Sequence, residues 1–160
     1  MDGSRHTPFV SDDPQVTHVI CTDMSGNISF WENKDYTEER LNSCKTAFQS
    51  GPMIYEFRGG QKKENLATKQ YIGLPHIRTV MVVFTRTDAT QDVWFLTAYN
   101  KMTLSQIRDI VLSETRFYGT YNALAVMNLD GGSSVAYISR SFPELNFGTN
   151  KILPIVLGIR

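Results

Sequence analysis

The sequence predicts an α+β fold, a mixed and mainly antiparallel β-sheet with two packed α-helices. Three observations lead there. Apolar or alternating runs of strand length recur along the 160 residues, most of them joined by hairpin-length turns. Helical spacing of apolar residues occurs in only two stretches, 36–49 and 103–118. The apolar run 123–127 is too short for an isolated helix and is bounded by turn residues, so it has the character of a buried strand.

Taken in order, residues 1–15 are polar, contain Gly3, Pro8 and Pro14, and are expected to form a flexible arm before a domain spanning 16–160. Residues 16–22 alternate as a first strand. Asp23-Met-Ser-Gly-Asn27 turns the chain, and 28–32 returns as the hairpin partner. Phe30 and Trp31 suit a sheet face or core better than a sugar-stacking platform. Residues 36–49 read as a helix, with Thr37 as N-cap, Glu38 and Glu39 in the first turn, and Leu41, Cys44 and Phe48 at three-to-four spacing. Ser50-Gly51-Pro52 stops it, and 53–57 is again a strand.

The polar stretch 58–73, with Gly59-Gly60 and Lys62-Lys63, is expected to be a long loop or hairpin excursion whose lysines form a solvated face. Val80 to Phe84 are apolar on both faces, which makes 76–84 a central strand. A polar connection over 85–92 returns the chain as a strand over 93–99. Thr103 as N-cap and Gln106 at the capping-box position open the second helix. Its apolar stripe is Leu104, Ile107, Ile110 and Val111, with Arg108, Asp109 and Ser113 facing away. Residues 139–150 form a loop, and 152–159 a last strand in which Pro154 implies an edge or a bulge.

Bulk properties narrow the function. Hydrophobic residues make up 41% and charged residues 20%, an ordinary globular balance. Lys plus Arg equals Asp plus Glu at 16 each, so no basic surplus favours nucleic acid or an anionic membrane as partner. No apolar run approaches transmembrane length, and the N-terminus has no secretory h-region. Cys21 and Cys44 lack metal-type spacing; they are either one disulfide or two buried thiols.

The chemistry concentrates in Asn128-Leu-Asp-Gly-Gly-Ser-Ser134. If the strand holds, Asn128 and Asp130 share a side, because strand side chains alternate with period two. An ionised carboxylate at the end of a buried strand needs partners or a functional reason. Gly131 and Gly132 let a ligand approach the backbone, whose N–H groups can join the Ser133 and Ser134 hydroxyls around an anionic or sugar group. The bland alternative is a tight Asp-Gly hairpin between two strands. Arg78 stands at the start of the central strand, with His76 two residues earlier. A guanidinium there suits a phosphate, since it binds two oxygens at once; the alternative is a head group that escapes to solvent.

Asn128-Leu-Asp-Gly-Gly-Ser-Ser134 resembles the Asn-Leu-Asp-Gly-Gly-x-Ser signature of the phosphodiester glycosidase family. Four more segments follow in that family's order. Gln49-Ser-Gly-Pro-Met-Ile54 is similar to its Gly-Pro-apolar segment, and His76-Ile-Arg-Thr-Val80 to its Pro-Arg-Thr-apolar strand, with Ile77 where Pro is usual. Met102-Thr-Leu-Ser-Gln-Ile107 is similar to the helix start before the signature, and Lys151-Ile-Leu-Pro-Ile-Val-Leu-Gly158 to the closing strand. The likeness covers residues 18–160, and an ordered set is far more specific than any one piece. The family's opening Asn-Gly-x-Phe-Phe segment has no counterpart, so the chain resembles the C-terminal two-thirds of that domain.

The resemblance implies hydrolysis of a sugar-1-phosphodiester, N-acetylglucosamine being a family sugar, by an exported protein. It implies Asp130 as central carboxylate, Asn128 orienting it or holding a sugar hydroxyl, and Arg78 neutralising the departing phosphate. His76, Thr79, Gly51, Gly131, Gly132, Ser133 and Ser134 would complete the substrate-binding set. No second carboxylate can be named. No cofactor is expected; one carboxylate is thin support for Ca²⁺, which takes about six to eight oxygens. The partner is a carbohydrate or sugar phosphate, with neither nucleic acid nor membrane implied. A non-catalytic glycan-binding or phosphosugar-binding domain of the same fold is the alternative. A third reading, an esterase or phosphatase using Ser134, lacks a His and acid partner by motif.

Overall fold

A computed structural model of the chain describes residues 16–64, 73–98, 100–115 and 121–131. The arm expected over 1–15, the loop over 139–150 and the closing strand over 152–159 lie outside them.

The described residues form an α+β fold in three layers. A three-stranded sheet in the order β2-β1-β3 comprises β1 (His18–Asp23), β2 (Ile28–Glu32) and β3 (Cys44–Ser50). A five-stranded sheet in the order β5-β4-β8-β6-β7 comprises β4 (Met53–Arg58), β5 (Gln61–Glu64), β6 (Arg78–Arg86), β7 (Gln91–Thr97) and β8 (Tyr121–Gly131). The pairings described in both sheets are antiparallel. Two helices complete the elements, α1 (Glu38–Asn42) and α2 (Leu104–Thr115).

Alternation along β6 and β8 builds the two cores. Val80, Val82, Phe84, Leu124 and Val126 pack with Leu104, Ile107 and Val111 of α2. Met81, Val83, Ala125 and Met127 face the other way, against Ile20, Phe30 and Phe48 of the three-stranded sheet. Strands β6 and β8 are thus covered on both faces, which is why their sequences read as continuous apolar runs. At about 25 cal/mol per Å² of apolar area removed from water, burial of this kind is the main term holding the layers together.

Local signals were accurate where the partner is close in sequence. Thr103 and Gln106 form a reciprocal capping box: the Thr103 amide donates to Gln106 Oε1 at 2.9 Å, and the Gln106 amide to Thr103 Oγ1 at 3.1 Å. Gly59 and Gly60 both have positive φ, +56° and +78°, and form the two-residue turn between Arg58 and Gln61. Such turns match the strand twist and disfavour side chains. Ile110 departs from the expected stripe, being 47% exposed at the margin of the apolar face of α2.

The main correction concerns residues 36–49. The Thr37-capped helix ends at Asn42, and Cys44–Ser50 is strand β3. The Leu41, Cys44, Phe48 spacing mimicked a helix. Pairing with β1 decided otherwise: Phe48 lies opposite Ile20, and both enter the core between the sheets. The Cys21–Cys44 disulfide links the same two strands, with Cα atoms 5.6 Å apart, and settles the state of the cysteines.

That bridge closes a 23-residue separation, for which the chain-entropy relation gives about 3 kcal/mol. A Cys21→Ala/Cys44→Ala double variant is expected to lose about that much stability in denaturant titration, and reductant should leave the variant unchanged while destabilising the wild type.

Candidate active site at one end of the five-stranded sheet

The fold brings several sequence-distant candidates to one end of the large sheet. There β4 and β6 begin and β8 ends. In the β6–β8 register, Arg78 lies opposite Gly131, Thr79 opposite Asp130 and Val80 opposite Asn128. Leu129 is therefore an extra residue in β8, a β-bulge. Asn128 and Asp130 were expected to share a side by simple alternation; the ladder is interrupted between them, so period-two counting does not carry across. Bulges of this kind recur beside active sites because they re-aim the residues that follow.

Asn128 is the best-defined member of the site. It is buried, its Nδ2 donates to the Gly51 carbonyl at 2.7 Å, and its backbone amide donates to the Pro52 carbonyl at 3.0 Å. Those bonds fix the amide plane and leave Oδ1 buried without a hydrogen-bond partner among the described residues. An unsatisfied buried acceptor costs about 1–3 kcal/mol, so a fixed one two residues before a candidate carboxylate in the sequence calls for a donor. Gly51 takes part through its carbonyl.

Ser50 was not among the expected site residues. Its buried hydroxyl lies 2.9 Å from both the Asn128 and Leu129 carbonyls. The signal was present in Gln49-Ser-Gly-Pro, but only the packing of β3 against the end of β8 shows what the hydroxyl reaches.

Arg78 does not send its head to solvent. It is 5% exposed; Nε donates to the Met102 carbonyl at 3.3 Å and Nη2 to the Leu74 carbonyl at 3.0 Å. Burial lowers its pKa from the ordinary arginine value, a direction that leaves so basic a group charged. The guanidinium thus joins the start of β6 to the approach of α2 and holds fixed positive charge near the end of β8. His76 exchanges backbone hydrogen bonds with Met102, at 3.1 and 2.9 Å, which anchors the same junction. The Thr79 hydroxyl is 3.1 Å from that of Thr97 on β7. Asp130 and Gly131 are described here by register alone; Gly132, Ser133 and Ser134 lie outside the described residues. Among the described residues, no group of three or more His, Cys, Asp or Glu is arranged to hold a metal ion.

A cleft of about 160 Å³ is lined by His18, Phe30, Trp31, Glu32 and Glu56, among others. Lys63 of β5 pairs with Glu32 of β2, one of the lining residues, and Lys34 pairs with the same carboxylate at 2.7 Å. These lysines hold the Glu32 pKa down to about 2. His18 is buried with Nδ1 2.7 Å from the Thr17 hydroxyl, and desolvation pulls its pKa from 6.5 to about 4.

The His18 shift gives a signed pH dependence. Above pH 6.5 the imidazole is neutral in both folded and unfolded chains. As pH falls toward 4 the unfolded chain takes up a proton that the folded chain refuses, so stability decreases, by about 3 kcal/mol in full. Denaturant titrations between pH 7 and 5 should show this decline, and His18→Asn should flatten it; the Glu32 contribution is lost at lower pH.

The sequence model of the phosphodiester glycosidase family matches residues 4–154. Comparisons with curated proteins and with solved structures found no match. Among the described residues no helix is long and apolar enough to cross a membrane. The match runs through both cores, the Ser50-Gly51-Pro52 corner and the Asn128–Ser134 signature, and the chain belongs to the phosphodiester glycosidase family.

Proposed function

We propose that the protein hydrolyses the bond between a sugar's anomeric carbon and a phosphodiester oxygen, with an N-acetylglucosamine-type sugar as the first candidate substrate. The observation that carries this reading is Asn128. Its amide is held by the Gly51 carbonyl, and its Oδ1, unpartnered among the described residues, has the polarity to accept from a sugar hydroxyl or an acetamido N–H, two residues before Asp130.

In the reaction, water adds at the anomeric carbon as the bond to the phosphodiester oxygen breaks, and the phosphate leaves as an anion. Asp130 supports the positive charge that grows on the sugar ring or handles the proton of the attacking water. Arg78 supplies fixed positive charge that offsets the charge growing on the leaving phosphate. A phosphate is already a good leaving group, so the demand for a strong general acid is small. The Cys21–Cys44 bridge supports an oxidising, extracytoplasmic setting, where disulfides persist.

One observation favours a non-catalytic sugar-binding domain as the second reading. Two of the Arg78 nitrogens are engaged by main-chain carbonyls, an architectural use of the group. The two readings separate in one experiment: release of free sugar from an N-acetylglucosamine-α-phosphodiester. The hydrolase reading expects turnover by the wild type and a loss of about 100-fold or more in Asp130→Asn. Arg78→Lys, which keeps the charge, is expected to weaken substrate capture as a raised KM. Ligand binding without turnover by the folded wild type would establish the second reading.

A further inference from the structure

We infer that Ser50 is a positioning residue for the site, aligning Asp130 by holding the peptide immediately before it. The inference rests on the hydrolase reading for its consequence and on separate geometry for its cause.

The Leu129 carbonyl belongs to the peptide whose nitrogen is that of Asp130. Leu129 is also the extra residue of the bulge, where the β6–β8 ladder is interrupted and regular strand pairing cannot by itself fix the peptide plane. The Ser50 hydroxyl sits 2.9 Å from that carbonyl and 2.9 Å from the preceding one, of Asn128. One hydroxyl proton is shared by two successive carbonyls, so both peptide planes are set from outside the large sheet. The same corner holds Asn128 through the Gly51 and Pro52 carbonyls. Ser50 is 6% exposed and is the last residue of β3. Its backbone carbonyl accepts from the Thr17 amide at 3.1 Å, so the hydroxyl is delivered by a strand end that is itself pinned.

A serine is well suited to the position because its oxygen reaches both carbonyls without added bulk. Alanine removes the shared proton and leaves the strand pairing intact. Misplacing a reacting group by about 1 Å can reduce turnover by about 100-fold, so loss of the clamp should appear in kcat more than in KM.

The test compares wild type, Ser50→Ala, Ser50→Thr and Val93→Ala on the sugar phosphodiester, with thermal midpoints alongside. Val93 packs at the margin of the core between the sheets and controls for general loss of stability. The expected result is a fall in kcat of about 10- to 100-fold in Ser50→Ala, with KM little changed, substantial recovery in Ser50→Thr, and no comparable fall in Val93→Ala. Wild-type kcat in Ser50→Ala, or a loss matched by Val93→Ala at equal midpoint, overturns the positioning role while leaving the hydrolase reading intact. Amide hydrogen exchange supplies a readout independent of turnover. Faster exchange confined to residues 128–131 in Ser50→Ala supports the clamp even if the wild type turns nothing over, in which case only the hydrolase reading fails. Unchanged exchange there overturns the clamp itself.

Discussion

The structure depends on one polar corner. Where the chain leaves the three-stranded sheet and enters the five-stranded one, Ser50, Gly51 and Pro52 exchange four hydrogen bonds with Asn128 and Leu129. Each is modest alone, about 1 kcal/mol net for a typical intramolecular bond. Their weight comes from location: the groups are largely buried, where losing one partner strands the other. The corner fixes how the sheets join and holds the end of β8 at its bulge.

The two cores make that corner possible. Strands β6 and β8 are covered by α2 on one face and by the small sheet on the other, so their ends are carried on a rigid central pair. The Cys21–Cys44 bridge ties β1 to β3 within the small sheet, and β3 delivers Ser50. Buried Arg78 performs a similar task on the opposite flank, joining β6 to the Leu74 and Met102 carbonyls. Strand ends held this way give the candidate site a rigid frame, in keeping with the general advantage of placing functional groups on rigid elements.

Legibility in the sequence followed the range of the interaction. The α2 capping box, the Gly59-Gly60 turn and the central position of β6 were all visible, because their causes are local or lie in the apolar pattern of a single run. The reading of 36–49 as one helix failed at Cys44, where a strand partner more than 20 residues away outweighed three apolar residues at helical spacing. The side-sharing of Asn128 and Asp130 lost its basis for a related reason. Period-two counting assumes an unbroken ladder, and a bulge is defined by the partner strand.

By itself, then, the sequence determined the α+β class, most of the strands, the second helix and, through an ordered set of motifs, the family. Those properties reside in composition, short-range periodicity and local capping, which the chain carries wherever it is folded. Tertiary structure alone decided that the described strands divide into two sheets, that Cys21 and Cys44 are joined, that Arg78 is buried on carbonyl oxygens, and that Ser50 reaches the peptide before Asp130. Each of these is a contact between residues remote in sequence. Its energy depends on burial and on the partner's geometry, and neither is encoded at the position where the residue stands.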